Sequence, residues 1–107
     1  SILFYFKSDS TQLQNESRSN LDQVVETMEQ RNSCDASVIG HTDRMGDEAY
    51  NMSLSLRRAE SVKKALEQLG VDPECFDVLS YGEQDPLVPT EDNVSEPKNR
   101  RVEVLIR

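Results

Sequence analysis

Hydrophobic positions recur along the chain with two periods, and the switches between them mark out its elements. Ile2 to Phe6 is rich in aromatic and β-branched residues, the composition of a strand. Asp9 or Ser10 can cap a following helix, along which Leu13, Leu21, Val24, Val25 and Met28 form an apolar stripe ending near Gln30. Ala36 to His41 reads as a second strand. Gly46 turns the chain, and Asp47 or Glu48 places negative charge at the start of a second helix, which runs from about Tyr50 to Leu69. Gly70 caps its C-terminus and Pro73 blocks continuation. Phe76 to Tyr81 is a third strand. Gly82 to Lys98 contains Pro86, Pro89 and Pro97 and exceeds the ~12–15 residues of an ordinary structureless loop, which suggests a binding rim or a lid. Asn99 or Arg100 opens the last strand, where Val102, Val104 and Ile106 alternate with Arg101, Glu103 and Arg107. One face of that strand is then buried and the other wet. The order β-α-β-α-β-loop-β predicts a two-layer α/β sandwich with a mixed four-stranded sheet and helices on one face.

The second helix carries an anomaly. At about 100° per residue, Tyr50, Leu54, Val62, Ala65, Leu66 and Leu69 share one arc. Arg58 falls near its centre, and Asn51 points the same way. Glu60, Lys63, Lys64 and Glu67 lie on the opposite, solvated side. An inward guanidinium needs a carboxylate or a functional pocket, because an unpaired buried charge costs several kcal/mol. Asp43, in Gly40-His41-Thr42-Asp43 at the end of the second strand, is the nearest upstream candidate. Two readings stand side by side: an internal salt bridge tying helix to sheet, or a trap for a zwitterion. In the trap Asp43 receives an ammonium and Arg58 grips a carboxylate. Strand ends of α/β sheets favour such ligand sites.

Composition narrows the partners. The chain has 107 residues, enough for one domain with a modest core, and its 20 acidic and 12 basic residues give a net charge of −8. That balance argues against nucleic acid or an anionic membrane surface as the main partner. No apolar run is long enough to span a bilayer. Cys34 and Cys75, each at the start of a strand, are either two small buried hydrophobes or a disulfide. With a single histidine they make no convincing zinc site, so no metal or other cofactor is expected.

Other polar groups have plainer readings. His41 beside Asp43 invites acid–base chemistry, but no nucleophile accompanies them, and an enzyme is not expected. The glycines do not form a nucleotide-binding spacing. Asn99-Arg100-Arg101 is a basic cluster that either contacts a phosphate or a glycan or holds the long loop by pairing with acids such as Glu83, Glu96 or Glu103.

Taken in order, Gly40-His41-Thr42-Asp43, Gly46, Tyr50-Asn51, Leu54-Ser55, Arg58-Ala59, Val62, Leu66, Gly70-Val71, Gly82-Glu83 and Asn99-Arg100-Arg101-Val102-Glu103 resemble the OmpA-like C-terminal domain of outer-membrane proteins, Pal lipoproteins and the MotB stator. The resemblance covers nearly the whole chain, residues 1–107, read as one domain excised from a longer envelope protein whose anchor lies elsewhere. It implies a periplasmic domain that binds peptidoglycan non-covalently, through the diaminopimelate of the peptide stem, and does no chemistry. By the family's pattern Asp43 and Arg58 hold the ligand and Asn51 lines the site. Leu54 walls it, and Asp9 and Ser10 border it. An envelope setting also permits the Cys34–Cys75 disulfide, and dimerisation is left open. Ser95-Glu96-Pro97-Lys98 departs from the usual Gly-Arg before Asn-Arg-Arg, and Lys7 stands where many relatives carry Asp or Asn. The alternative function is an envelope interaction domain that has lost wall binding, with Asp43 and Arg58 closed into an internal bridge. On this reading, Asp43→Asn or Arg58→Ala would abolish wall binding and leave the fold intact.

Overall fold

A computed structural model describes all 107 residues. The strands are β1 (Ile2–Tyr5), β2 (Ala36–His41), β3 (Phe76–Gly82) and β4 (Arg101–Ile106), and the helices are α1 (Ser17–Arg31) and α2 (Glu48–Gln68). Short 3₁₀ turns at Pro73–Cys75 and Pro97–Asn99 lead into β3 and β4. The sheet order is β1-β4-β2-β3, with β2 and β3 parallel and both partners of β4 antiparallel. The expected mixed four-stranded sheet is therefore present.

Phe4, Ala36, Val38, Phe76, Val102 and Val104 project from the sheet against Leu21, Val24 and Met28 of α1 and Ala59, Val62 and Leu66 of α2. Each fully buried large side chain contributes about 1.5–3 kcal/mol, so this layer is the main source of stability. No helix is long and apolar enough to cross a membrane.

Helix boundaries follow local chemistry. The Asp47 side chain accepts from the Tyr50 N–H at 3.0 Å and so caps α2. At its other end Gly70 takes a positive φ of 98°, and the Val71 N–H returns to the Leu66 carbonyl. The first helix starts later than its apolar spacing suggests. Asp9 takes a positive φ of 54°, and Asp9 and Ser10 lie in a turn well before Ser17 instead of capping α1. Leu13 lies outside the helix and still packs on the core.

Close approach of α2 to β2 sets the geometry of the strand end. A Cβ on Gly40 would sit 1.8 Å from the Ser55 carbonyl oxygen, so only glycine admits this spacing. The Ser55 hydroxyl accepts from the Gly82 N–H at 2.9 Å and ties the same helical turn to β3. Cys34 and Cys75 form a disulfide that joins the segment before β2 to the turn before β3. Of the two readings of the cysteines, the bonded one is correct.

The opposite sheet face carries no helix. Rows such as Leu3, Glu103, Ile39 and Leu79 run across it. Arg101 is on this face but is buried, contrary to the wet face expected of β4. Its Nη2 donates to the Asp85 carbonyl and to Glu103, because the long loop folds over the end of the sheet.

Candidate functional site

The N-terminal turns of α2 lie across the carboxyl end of β2. Leu54 and Arg58 recur one helical turn apart, and Asn51 lies one turn further towards the N-terminus. The segment 42–46, leaving β2, folds back beneath them. The turn after β1 brings Ser8 and Asp9 to the same place. Together these segments enclose a pocket of about 260 Å³. Asp43, Asn51, Leu54, Arg58 and Asp9, all singled out in the sequence, line it. Ser10 is absent from the lining and acts through its carbonyl, which accepts from Arg58 Nε at 2.9 Å.

Arg58 is 0% exposed, as its periodicity demands, but its partner is not the expected one. Its guanidinium donates to three backbone carbonyls: Ser10 from Nε, Lys7 from Nη2 at 3.0 Å and His41 from Nη1 at 3.1 Å. The ring of Phe6 lies 5.2 Å from the guanidinium carbon. No carboxylate forms an ion pair with it. Burial lowers its pKa to about 10, with Asp43 opposing that shift and Arg100 adding to it, so Arg58 stays cationic at neutral pH. A guanidinium has five N–H groups, and these three bonds leave two for another acceptor.

The Asp43 carboxylate is 4% exposed as a residue and engaged elsewhere. Its Oδ2 accepts from Arg100 Nη1 at 3.0 Å and from the Glu96 N–H at 3.2 Å, and its Oδ1 accepts only from the Met45 N–H at 3.2 Å. Spare acceptor capacity therefore sits on Oδ1. The internal Asp43–Arg58 bridge is not formed, because Arg100 enters from the start of β4 and takes the position facing Asp43. Arg100 is held there by its Nε, which donates to the Phe6 carbonyl at 3.0 Å, while the Phe6 N–H returns to the Arg100 carbonyl.

Asn51 is buried and polices the turn: its Nδ2 donates to the Met45 carbonyl at 2.8 Å. Asp9 stands at the rim and accepts from the Tyr50 hydroxyl. Tyr50, placed in the apolar arc by periodicity, is 47% exposed. Its ring stays in solvent at the mouth of the pocket, because at the first turn of α2 no sheet lies beneath it. Thr42 also lines the pocket, and its buried hydroxyl has no partner in the protein.

The loop 83–96 supplies no lining residue and so forms neither the rim nor the lid its length suggested; it packs behind the pocket, where the Glu96 N–H donates to Asp43 and the Ser95 hydroxyl accepts from Arg100. The Asn99 side chain bonds both the N–H and the carbonyl of Val88. Arg44 donates to the Thr90 carbonyl and pairs with Asp92, and the Asn93 N–H returns to the Arg44 carbonyl. The basic cluster thus holds the loop as expected, but only Arg101 finds one of the named acids, Glu103.

His41 points away from the pocket, on the helix-free face of the sheet. It is buried, its ring centroid lies 5.7 Å from that of Tyr81, and neither nitrogen has a hydrogen-bond partner. Desolvation first, then Arg101, lowers its pKa to about 4, with Glu103 and Asp85 opposing. A neutral imidazole on the far face cannot act on anything held by Asp43 and Arg58.

Sequence reasoning missed Arg100, Thr42 and Tyr50 as lining residues. The signal for Arg100 was the antiparallel register. Gly40 pairs with Val102, which brings Arg100 alongside Thr42 and Asp43.

The profile of the OmpA family matches residues 5–100. The chain is 39% identical to a peptidoglycan-associated lipoprotein of Pseudomonas aeruginosa, over 94% of this chain and 60% of that protein. It is 38% identical to an outer membrane protein of Gluconacetobacter diazotrophicus, over 97% of this chain and 29% of that protein. It therefore spans only part of each relative. Among solved structures it superposes on the peptidoglycan-associated lipoprotein of Burkholderia pseudomallei with a TM-score of 0.89 at 29% identity, covering 100% of this chain and 91% of that one. The C-terminal domain of Helicobacter pylori MotB gives a TM-score of 0.82 at 25% identity, covering 98% and 83%. By sequence and by fold, the chain belongs to the OmpA family.

Proposed function

We propose that this domain is the wall-binding part of a longer periplasmic envelope protein and holds peptidoglycan non-covalently, by the zwitterionic end of diaminopimelate in the peptide stem. One observation carries the reading: a buried guanidinium that no carboxylate neutralises lines an open pocket beside two carboxylates. Arg58 and Arg100 contribute two positive charges there, and Asp43 and Asp9 two negative ones. A zwitterion adds no net charge to that set. Its carboxylate takes the free N–H groups of Arg58, and its ammonium takes Asp43 Oδ1, with Asp9 at the mouth. The Thr42 hydroxyl supplies one more polar partner. Nothing in the arrangement positions a nucleophile, and domains of this family are structural binding domains, not enzymes.

The names of the relatives support the coarse reading, since two are peptidoglycan-associated lipoproteins. The rival reading, an interaction domain closed by an Asp43–Arg58 bridge, is weaker because that bridge is absent and the pocket is open. The test is co-sedimentation with isolated sacculi of two kinds. Sacculi with diaminopimelate stems should carry the protein down. Sacculi with lysine in that stem position lack the terminal carboxylate and should not. Equal binding to both would contradict the reading.

A further inference from the structure

A second concavity adjoins the first and shares one wall with it. It has a volume of about 450 Å³ and is lined by Tyr5, Lys7, Gln14, Pro97, Lys98 and Arg100, with Phe6 at its base. Arg100 lines both pockets. Its Nη1 donates to Asp43 and to Ser95, its Nε donates to the Phe6 carbonyl, and its Nη2 makes no hydrogen bond within the protein. Lys7 and Lys98 are exposed, and neither has a carboxylate partner. Three cations thus meet in one cleft of a chain that carries 20 acidic residues against 12 basic ones. Unpaired lysines gathered around a concave surface, in a protein with acids to spare, mark a place where the missing anion belongs to something else. The exposed ring of Tyr5 and the Pro97 ring give the cleft an apolar side that suits an aliphatic chain.

We infer that this cleft is a second subsite for the same stem, and that it takes the free α-carboxylate of the γ-linked D-glutamate preceding diaminopimelate. The inference rests on the wall-binding reading. In such a stem the glutamate is joined through its side-chain carboxyl, so its α-carboxylate remains ionised, one residue away from the zwitterion. A single guanidinium separates the two pockets, and a ligand seated against Asp43 and Arg58 has to pass only Arg100 to reach Lys7 and Lys98. The first pocket then recognises the zwitterion, and the second reads the charge on its neighbour. This also gives a role to the departures at Lys7 and at Glu96-Pro97-Lys98: both place a lysine on the rim of this cleft.

The experiment is calorimetric titration of the intact chain with three ligands: diaminopimelate, γ-D-glutamyl-diaminopimelate, and the same dipeptide with its glutamate α-carboxylate amidated. The wild type should bind the acid about fivefold tighter than the amide, a factor within the range of two exposed ion pairs. That preference should shrink at high salt. In the Lys7→Ala/Lys98→Ala double variant the two dipeptides should bind equally, with affinity for diaminopimelate itself unchanged. Charge reversal in Lys98→Glu should favour the amide. Both lysines are exposed, so urea midpoints should match the wild type. A wild type indifferent to amidation, or a preference that survives in the double variant, would overturn the subsite alone. Failure of the wild type to bind diaminopimelate in any form would overturn the first pocket as well.

Discussion

Replacing Arg58 by alanine should unfold a large fraction of this protein's stability margin, not simply empty a binding site. The side chain is buried and ends in three hydrogen bonds to the carbonyls of Lys7, Ser10 and His41. It therefore joins the turn after β1, the end of β2 and the middle of α2. A hydrogen bond to a charged donor contributes about 1.5–3 kcal/mol. The Lys7 and Ser10 carbonyls can turn to water once released, whereas the His41 carbonyl, in a buried residue, cannot do so freely. The aliphatic stem and its contact with Phe6 are lost as well. The sum is about 4 kcal/mol, against the ~5–15 kcal/mol that holds a typical domain. Equilibrium urea denaturation followed by circular dichroism, with the disulfide intact, measures it. Arg57→Ala, one residue away and exposed, is the control and should stay within about 0.5 kcal/mol of wild type. An Arg58→Ala loss below about 1 kcal/mol would refute the account of how this charge is tolerated. The variant keeps its fold on a narrower margin, so loss of wall binding in Arg58→Ala would not by itself identify a ligand.

The remaining predictions concern other parts of the fold. His41 is the only histidine, and its nuclear magnetic resonance titration should show a midpoint near pH 4 instead of 6.5; a midpoint above 6 would contradict its burial. The unfolded chain binds a proton at His41 that the folded one refuses between those values, so stability should fall by about 3 kcal/mol as pH drops from 6.5 to 4, and His41→Asn should lose that component. Reducing Cys34–Cys75 opens a crosslink between residues 41 apart, worth about 4 kcal/mol by loop-closure entropy, and an unchanged melting temperature under reductant would count against that value. Gly40→Ala forces a carbon to within 1.8 Å of the Ser55 carbonyl oxygen and should cost about 3 kcal/mol, since backbone and not a flexible side chain must move; a urea midpoint equal to wild type would show that α2 can lift off β2 cheaply.

Much of the fold was legible because its periodicities are strong. The β4 alternation and the α2 stripe fixed which faces are buried, and turn chemistry at Gly46, Gly70 and Pro73 set the limits of α2. The start of α1 was not legible, since Leu13 continues the apolar spacing although residues 9–14 run as a turn and a segment without regular secondary structure. The left-handed conformation at Asp9 has no periodic signature. Of the site, the inward direction of Arg58 followed from spacing alone and Asp43 from the strand-turn-helix order, whereas the places of Asn51 and Leu54 came from the family resemblance. The partners did not. A guanidinium is satisfied as well by three carbonyls as by a carboxylate, and carbonyls are invisible in a residue list. Arg100 lies 57 residues from Asp43 in sequence, and only the β2–β4 register brings them together.

The central claim is that the pocket between Asp43 and Arg58 holds the zwitterion of diaminopimelate. The direct measurement is titration of the isotopically labelled domain with meso-diaminopimelate, followed by amide and arginine side-chain resonances. Saturable shifts should appear at Ser8 to Ser10, Thr42 to Gly46, Tyr50 and Asn51, and at the Arg58 guanidinium, and L-lysine at the same concentration should produce none. Absence of saturation, or shifts confined to the helix-free face around Leu79 and Leu105, would contradict the claim.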